Sequence, residues 1–200
     1  MKKSFSKALA SFSILTVLAG CSMSVKRIDT NSVTDISDQW NDTDAQLTSQ
    51  EMISQCTAAP WLAKAQSDEG KNPTVIVGTI RNKSFEHINT DTIVEDIQSS
   101  LINSGKVTFV ASSTQRADVR GERLDQDVNA TEETRKAAGH EAGADFMMQG
   151  DINAIKQTEE GKEVMFYQVN LQLINMKDNS IAWIGQKKIK KFIKRSALSL

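Results

Sequence analysis

The 200 residues include only two cysteines, two prolines, two histidines and one tyrosine. Each scarcity removes a class of protein. Cys21 and Cys56 are too few for a disulfide framework. With His87 and His140 as the only imidazoles, they also fail to make a zinc-like cluster. Pro60 and Pro73 leave no polyproline-type spacer. No apolar run reaches the roughly 20 residues of a membrane span. The formal charge is −1, without the basic excess that nucleic-acid binders carry. Phosphate loops of the form G-x-x-x-x-G-K-S/T, G-x-S-x-G elbows and H-E-x-x-H helices are all missing. Gly139, Gly143 and Gly150 suit a helix end and a strand. His140 beside Glu141 fits a satisfied or solvated histidine, and His87 falls in a polar loop. The pairs Glu132/Glu133 and Glu159/Glu160 fall at a helix start and a turn, not in an acid–base constellation. An enzyme is not expected, and no metal or cofactor is called for.

What is present begins at the N-terminus. Met1-Lys2-Lys3 and Lys7 precede apolar residues 8–10 and 14–19, the order of a secretory signal. Leu18-Ala19-Gly20-Cys21 then resembles the lipobox of bacterial lipoproteins. That resemblance implies cleavage before Cys21, a diacylglycerol on its thiol and an acylated amine, so the one prosthetic group is covalent lipid. Several acyl chains hold a membrane far better than one. Ser22 stands where an aspartate would imply retention at the inner membrane, so the expected site is the outer membrane, facing the periplasm. Residues 1–20 are thus expected as signal peptide, and their removal takes three lysines and no acid, moving the formal charge from −1 to −4. Residues 21–36 read as the lipidated cysteine and a flexible polar tether, reaching about 50 Å when fully extended. Residues 37–195 remain for one domain large enough to bury a core. Cys56 is expected as a buried small hydrophobe.

The domain alternates its patterns. Asp42, Thr43 or Asp44 is expected to cap a first helix whose face includes Leu47, Met52 and Ile53. Pro60 starts a second, short helix with Trp61 and Leu62. Residues 74–80, continuously apolar and β-branched, suit a central strand buried on both faces. Thr92 and Glu95 have capping-box spacing for a third helix, with Ile93, Ile97 and Leu101 inward and Gly105 as its stop. Residues 106–111 form a second strand, and 112–127 a charged surface helix. Thr131 is expected to cap another helix closing at Gly143. Residue 145 opens a meander. Phe146, Met148, Ile152 and Ala154 share one face, opposite Gln149, Asp151 and Asn153. Met165, Tyr167, Val169, Leu171 and Leu173 alternate with Gln168, Asn170 and Gln172. Residues 177–180 turn into a last strand from Ile181. The first two strands should be parallel and the last three antiparallel. The fold class is α/β (α+β): a single mixed sheet of about four to five strands flanked by helices.

One charge run stands out, Lys187-Lys188-Ile189-Lys190-Lys191-Phe192-Ile193-Lys194-Arg195. It suits anionic lipid headgroups, an acidic partner face or an anionic wall polymer. Equally, it suits a charged edge strand that discourages edge-to-edge pairing.

Several segments together carry a resemblance. They are Trp40-Asn41, a Val/Ile strand ending Arg81-Asn82-Lys83-Ser84, and Ile97–Leu101 before Asn103-Ser104-Gly105-Lys106 with Phe109-Val110. Gly143-Ala144-Asp145, Leu171-Gln172-Leu173-Ile174 and Ile181-Ala182-Trp183-Ile184-Gly185 follow. In this order they resemble the LpoB family of penicillin-binding-protein activators, over about residues 37–190. The resemblance implies an outer-membrane lipoprotein that docks on a non-catalytic module of a bifunctional class A penicillin-binding protein and stimulates peptidoglycan synthesis. A monomer without nucleic-acid partners is expected. Arg81, Asn82 and Ser84, in the loop leaving the first strand, are the partner-binding candidates. The short, proline-poor tether departs from the long proline-rich spacer of the family's best-known form. Two other readings stand beside the activator: a structural, assembly or secretion accessory of the envelope, and a binding module for cell-wall glycan or anionic polymer.

Overall fold

The computed structural model describes residues 24–136, 139 and 141–194. Cys21, His140 and Arg195, and with them the signal and lipobox, lie outside the described residues. Contacts divide the chain between Ser32 and Val33. Before that point the main described feature is a turn in which Asp29 accepts from Asn31 and Ser32. Every core residue, from Ala45 to Trp183, belongs to the second unit.

That unit contains α1 (Asp42–Ala58), α2 (Pro60–Glu69), β1 (Thr74–Asn82), α3 (Thr90–Asn103), β2 (Thr108–Phe109) and α4 (Ser113–Asn129). β3 (Phe146–Glu159), β4 (Lys162–Asn175) and β5 (Ile181–Lys194) follow. One five-stranded sheet runs in the order β2-β1-β3-β4-β5. β1 is parallel to β2 and β3, and β3, β4 and β5 are antiparallel. The mixed single sheet expected from the alternating patterns is the one observed.

Period-two alternation sorts the meander as expected. Met165, Tyr167, Val169, Leu171 and Leu173 are all buried on one face, joined by Met148 and Ile152 of β3. α1 and α3 pack together on that face, α1 against β5 and α3 against β1. α3 inserts Ile93, Ile97 and Leu101. Gly150 passes so near β4 that a Cβ there would meet the Asn170 carbonyl oxygen and Leu171.

Several expectations are corrected. Asn41 caps α1, its side chain accepting from Asp44 N–H at 3.0 Å while Asp44 accepts from Asn41 N–H at 3.1 Å. In this reciprocal box Asn41 is extended, and Trp40 just before it sets its ring edge-on to Tyr167 at 5.4 Å. The buried stripe of α1 is Ala45, Thr48, Ser49, Met52 and Cys56, and Leu47 faces outward. Hydrophobicity misplaced this face because two hydroxyl side chains are buried in it. α3 is capped by Asn89, which accepts from Asp91 N–H, not by Thr92. β1 is buried at Val75 and Ile80, but Ile76 and Val77 are only half-buried. Ile76, beside Met147 on the face away from the helices, therefore lacks the full cover expected for a central strand. β2 shrinks to two residues. Where a helix from Thr131 to Gly143 was expected, the described residues show one turn, with Arg135 N–H donating to the Thr131 carbonyl. Ala137 and Ala138 lie outside the described residues.

Candidate functional site

The helices on one face leave the other face of the sheet open, and its composition is distinctive. Register places Asp151 beside Arg81 of β1 and Asn170 of β4, and Asn170 beside Gln186 of β5. Asp151 is the hub. Its Oδ1 accepts from Asn153 Nδ2 at 2.6 Å and Asn170 Nδ2 at 2.9 Å, and its Oδ2 accepts from Lys83 Nζ at 2.9 Å. Asn170 Oδ1 in turn accepts from Gln168 Nε2 at 3.0 Å and Gln186 Nε2 at 2.9 Å. Burial would raise the Asp151 carboxyl, but the donors Asn170, Lys83 and Asn153 outweigh it and hold the group below its ordinary range. The charged form is therefore the working form. Gln149 and Gln172, one step along the strands, extend the same amide surface.

Apolar residues continue the face beyond the amides. Ile155, Phe166 and Lys190 form one cross-strand row, and Gln157, Val164 and Phe192 the next. Phe192 is 66% and Ile155 58% exposed. Both are large for surface positions.

The basic run is divided by the same alternation. Lys187 and Lys191 point to the helical side, where Lys187 meets Glu51 at 3.8 Å and Lys191 meets Asp44 at 2.6 Å and Asp35 at 3.5 Å. Lys188, Lys190 and Lys194 occupy the open face, without an ion pair to any described residue. The run lies on the edge strand β5, as the charged-edge reading expects, but alternation turns Lys187 and Lys191 inward to acidic partners and leaves Lys188, Lys190 and Lys194 outward.

The three partner candidates do not act alike. Arg81 and Asn82 are the last two residues of β1, not part of the loop expected for them, and Ser84 follows in the loop. Asn82 Oδ1 accepts from Ser84 N–H at 2.9 Å and Ser84 Oγ at 2.7 Å, while Asn82 Nδ2 donates to the Glu86 carbonyl at 2.7 Å. The loop they shape carries Glu86, whose carboxylate accepts from Tyr167 Oη at 2.8 Å and Trp40 N–H at 2.9 Å. Arg81 is different: it is exposed on the open face opposite Asp151, and none of its contacts to described residues is an ion pair. Phe85, on the same loop, is 59% exposed. Sequence reasoning missed Glu86 and Lys191. Each looks like an ordinary surface charge until a partner more than forty positions away is brought to it.

Cleft chemistry is sparse. Among the described residues no group of three His, Cys, Asp or Glu side chains is placed to hold a metal ion. Cys56 is buried, and burial pushes its thiol up to about 12, with the Trp61 indole N–H acting weakly the other way. Such a thiol is unreactive at neutral pH. Among the described residues no helix is long and apolar enough to cross a membrane.

Fold and surface thus define a small α+β domain with one face packed by helices and one face given to amides, lysines and a few bare apolar groups. Comparison with known proteins assigns it. The family model described as peptidoglycan-synthase activator LpoB matches residues 44–189, and the chain belongs to that family. Similar solved structures include the LpoB C-terminal domain from Escherichia coli, 17% identical, covering 65% of this chain and 93% of that one at TM-score 0.36. Lipoprotein GNA1162 from Neisseria meningitidis is 11% identical, covering 64% and 88% at TM-score 0.36. A PelC dodecamer from Paraburkholderia phytofirmans is 16% identical, covering 64% and 78% at TM-score 0.30. No curated protein sequence matches the chain.

Proposed function

We propose that this chain is a non-enzymatic, lipid-anchored periplasmic protein of the outer membrane that activates a bifunctional class A penicillin-binding protein by direct contact. The observation that carries the reading is membership of the peptidoglycan-synthase activator family over residues 44–189. The lipobox ending in Cys21 supports the anchor. Activation without chemistry is a population shift: the activator binds the active synthase conformation more tightly than the inactive one. A tenfold shift requires about 1.4 kcal/mol of differential affinity, well within the reach of a small interface.

For the contact itself, the end of β1 offers Arg81 and the loop after it offers Phe85 as outward groups. Asn82 and Ser84 act one step back, holding the loop by the bonds described above. An exposed arginine and an exposed aromatic four residues apart have the composition of an interface hot spot. The experiment is a binding titration of the purified protein against detergent-solubilised synthases. Arg81→Glu is expected to weaken binding at least about tenfold with the fold intact, whereas Asn82→Ala is expected to lower thermal stability as well. Unchanged binding by Arg81→Glu would move the docking face elsewhere.

A further inference from the structure

The far end of the open face has properties that synthase activation does not call on. Beyond Asn82, where β1 stops, β3, β4 and β5 continue together as a three-stranded extension. Its open face carries Ile155, Val164, Phe166 and Phe192 in adjacent cross-strand rows. Lys188, Lys190 and Lys194 line the β5 side of those rows, and Lys162 faces Lys194. The carboxylate in these rows is Glu159, opposite Lys162 at the hairpin tip. An apolar centre with a border of cations matches the chemistry of an anionic lipid surface.

The route of the chain points the same way. Lys191, on the reverse of the same strand, grips the entering segment through Asp35, Asp44 and the Gln39 carbonyl, the last at 2.9 Å. Residues 35–38 and 190–194 border one shallow depression. The chain therefore joins the domain beside the lysine-edged patch. The stretch from Cys21 to Asp35 reaches at most about 50 Å, its length at full extension. A patch that close to its own anchor meets the membrane at an effective concentration in about the millimolar range.

We propose that the Phe192 patch and its lysine border rest on an anionic phospholipid bilayer, the one that holds the chain's own acyl anchor. The inference depends on the lipid anchor of the proposed function but not on synthase activation. Contact is electrostatic first, with the phenyl rings of Phe166 and Phe192 entering the headgroup boundary. It is reversible, so the domain alternates between the bilayer and its partner.

The test uses a soluble chain beginning at residue 22, which retains every core residue and has no acyl group. It is floated with vesicles of equal parts phosphatidylethanolamine and phosphatidylglycerol, and with vesicles of phosphatidylcholine alone. Binding is expected to the first and not the second, and to fall as salt rises. Each lysine near such a surface is worth about fivefold in affinity, so Lys188→Glu with Lys190→Glu should weaken it at least about 30-fold. Phe192→Ser should weaken it further at unchanged charge. Lys64→Glu with Lys71→Glu, on and just after α2, makes the same charge change elsewhere and should leave binding nearly intact. Circular dichroism checks the fold of each variant. No binding to anionic vesicles, or equal loss in both lysine pairs, overturns the proposal. So does vesicle binding that survives Lys188→Glu and Lys190→Glu while synthase binding is lost, because the patch is then a protein-docking face. Vesicle flotation contains no synthase, so its failure leaves the activator reading standing, and the reverse also holds.

Discussion

Tyr167 shows how much a single side chain ties together in this domain. It is fully buried, stacks edge-on with Trp40 and donates its hydroxyl to Glu86 at 2.8 Å. Burial first, and then the Glu86 carboxylate, push its phenol well above the ordinary tyrosine range. A hydrogen bond to a charged group is worth about 1.5–3 kcal/mol, so Tyr167→Phe is expected to lose about 2 kcal/mol in urea unfolding. The pH dependence has a definite sign. A group whose folded value is raised gives its full stabilisation below its unfolded value, about 10 for tyrosine, and loses it as pH rises beyond. Cys56, raised to about 12, acts in the same direction from a lower starting point. Stability should therefore decline above about pH 9, and less steeply in Tyr167→Phe. A decline of equal steepness in the variant would remove Tyr167 from that account. Cys56 should resist thiol reagents until the protein unfolds.

At the scale of elements, α1 and the segment before it are held by charge as well as by packing. Asp44 completes the α1 capping box and is nearly buried, yet its carboxylate sits 2.6 Å from Lys191 Nζ. Removing one partner of a buried pair leaves the other uncompensated and costs about 3–5 kcal/mol. Lys191→Ala should approach the lower end of that range in chemical denaturation, since 14% of the side chain is exposed. Lys188→Ala, on the open face of the same strand, should cost almost nothing. α4 is the opposite case. It buries no residue and is secured largely through Arg120, which donates to Glu141 by two bonds of 2.7 Å. Its amides should exchange with solvent orders of magnitude faster than those of α3 or β4 in hydrogen-exchange measurements. Protection of α4 equal to that of α3 would contradict this view of it as an outlying element.

The same contrast explains what could be read from the chain beforehand. Period-two alternation in β3 and β4 and the Ile93/Ile97/Leu101 stripe of α3 were legible because one face meets water and the other meets the core. The α1 face was not, because Thr48 and Ser49 are buried there and hydrophobicity does not mark them. Thr131 carried a genuine cap signal, but a single turn uses that chemistry as well as a helix does.

For the whole molecule, the two faces of the sheet differ: helices pack on one and the other is open. The order of strand and helix patterns predicted a mixed sheet, and alternation predicted which residues of the meander are polar. Neither could show that Asp151, Asn170 and Gln186 meet across three strands, because strand order and register are long-range facts. The basic run was equally ambiguous until register sent alternate lysines to opposite sides. Arg81 belongs to the open face through its place opposite Asp151, whereas Asn82 and Ser84 belong to the frame of the loop. The division gives the activator reading a physical form: a domain that presents amides, lysines and aromatic groups on one side of its sheet and packs helices on the other.

The most direct measurement adds the chain from residue 22 onward to detergent-solubilised bifunctional synthases of the same organism and follows lipid II polymerisation. One synthase should polymerise several-fold faster with the protein present, and Arg81→Glu should abolish the gain while remaining folded. If no synthase responds and none binds, the domain is family-shaped but serves the envelope in some way other than activation.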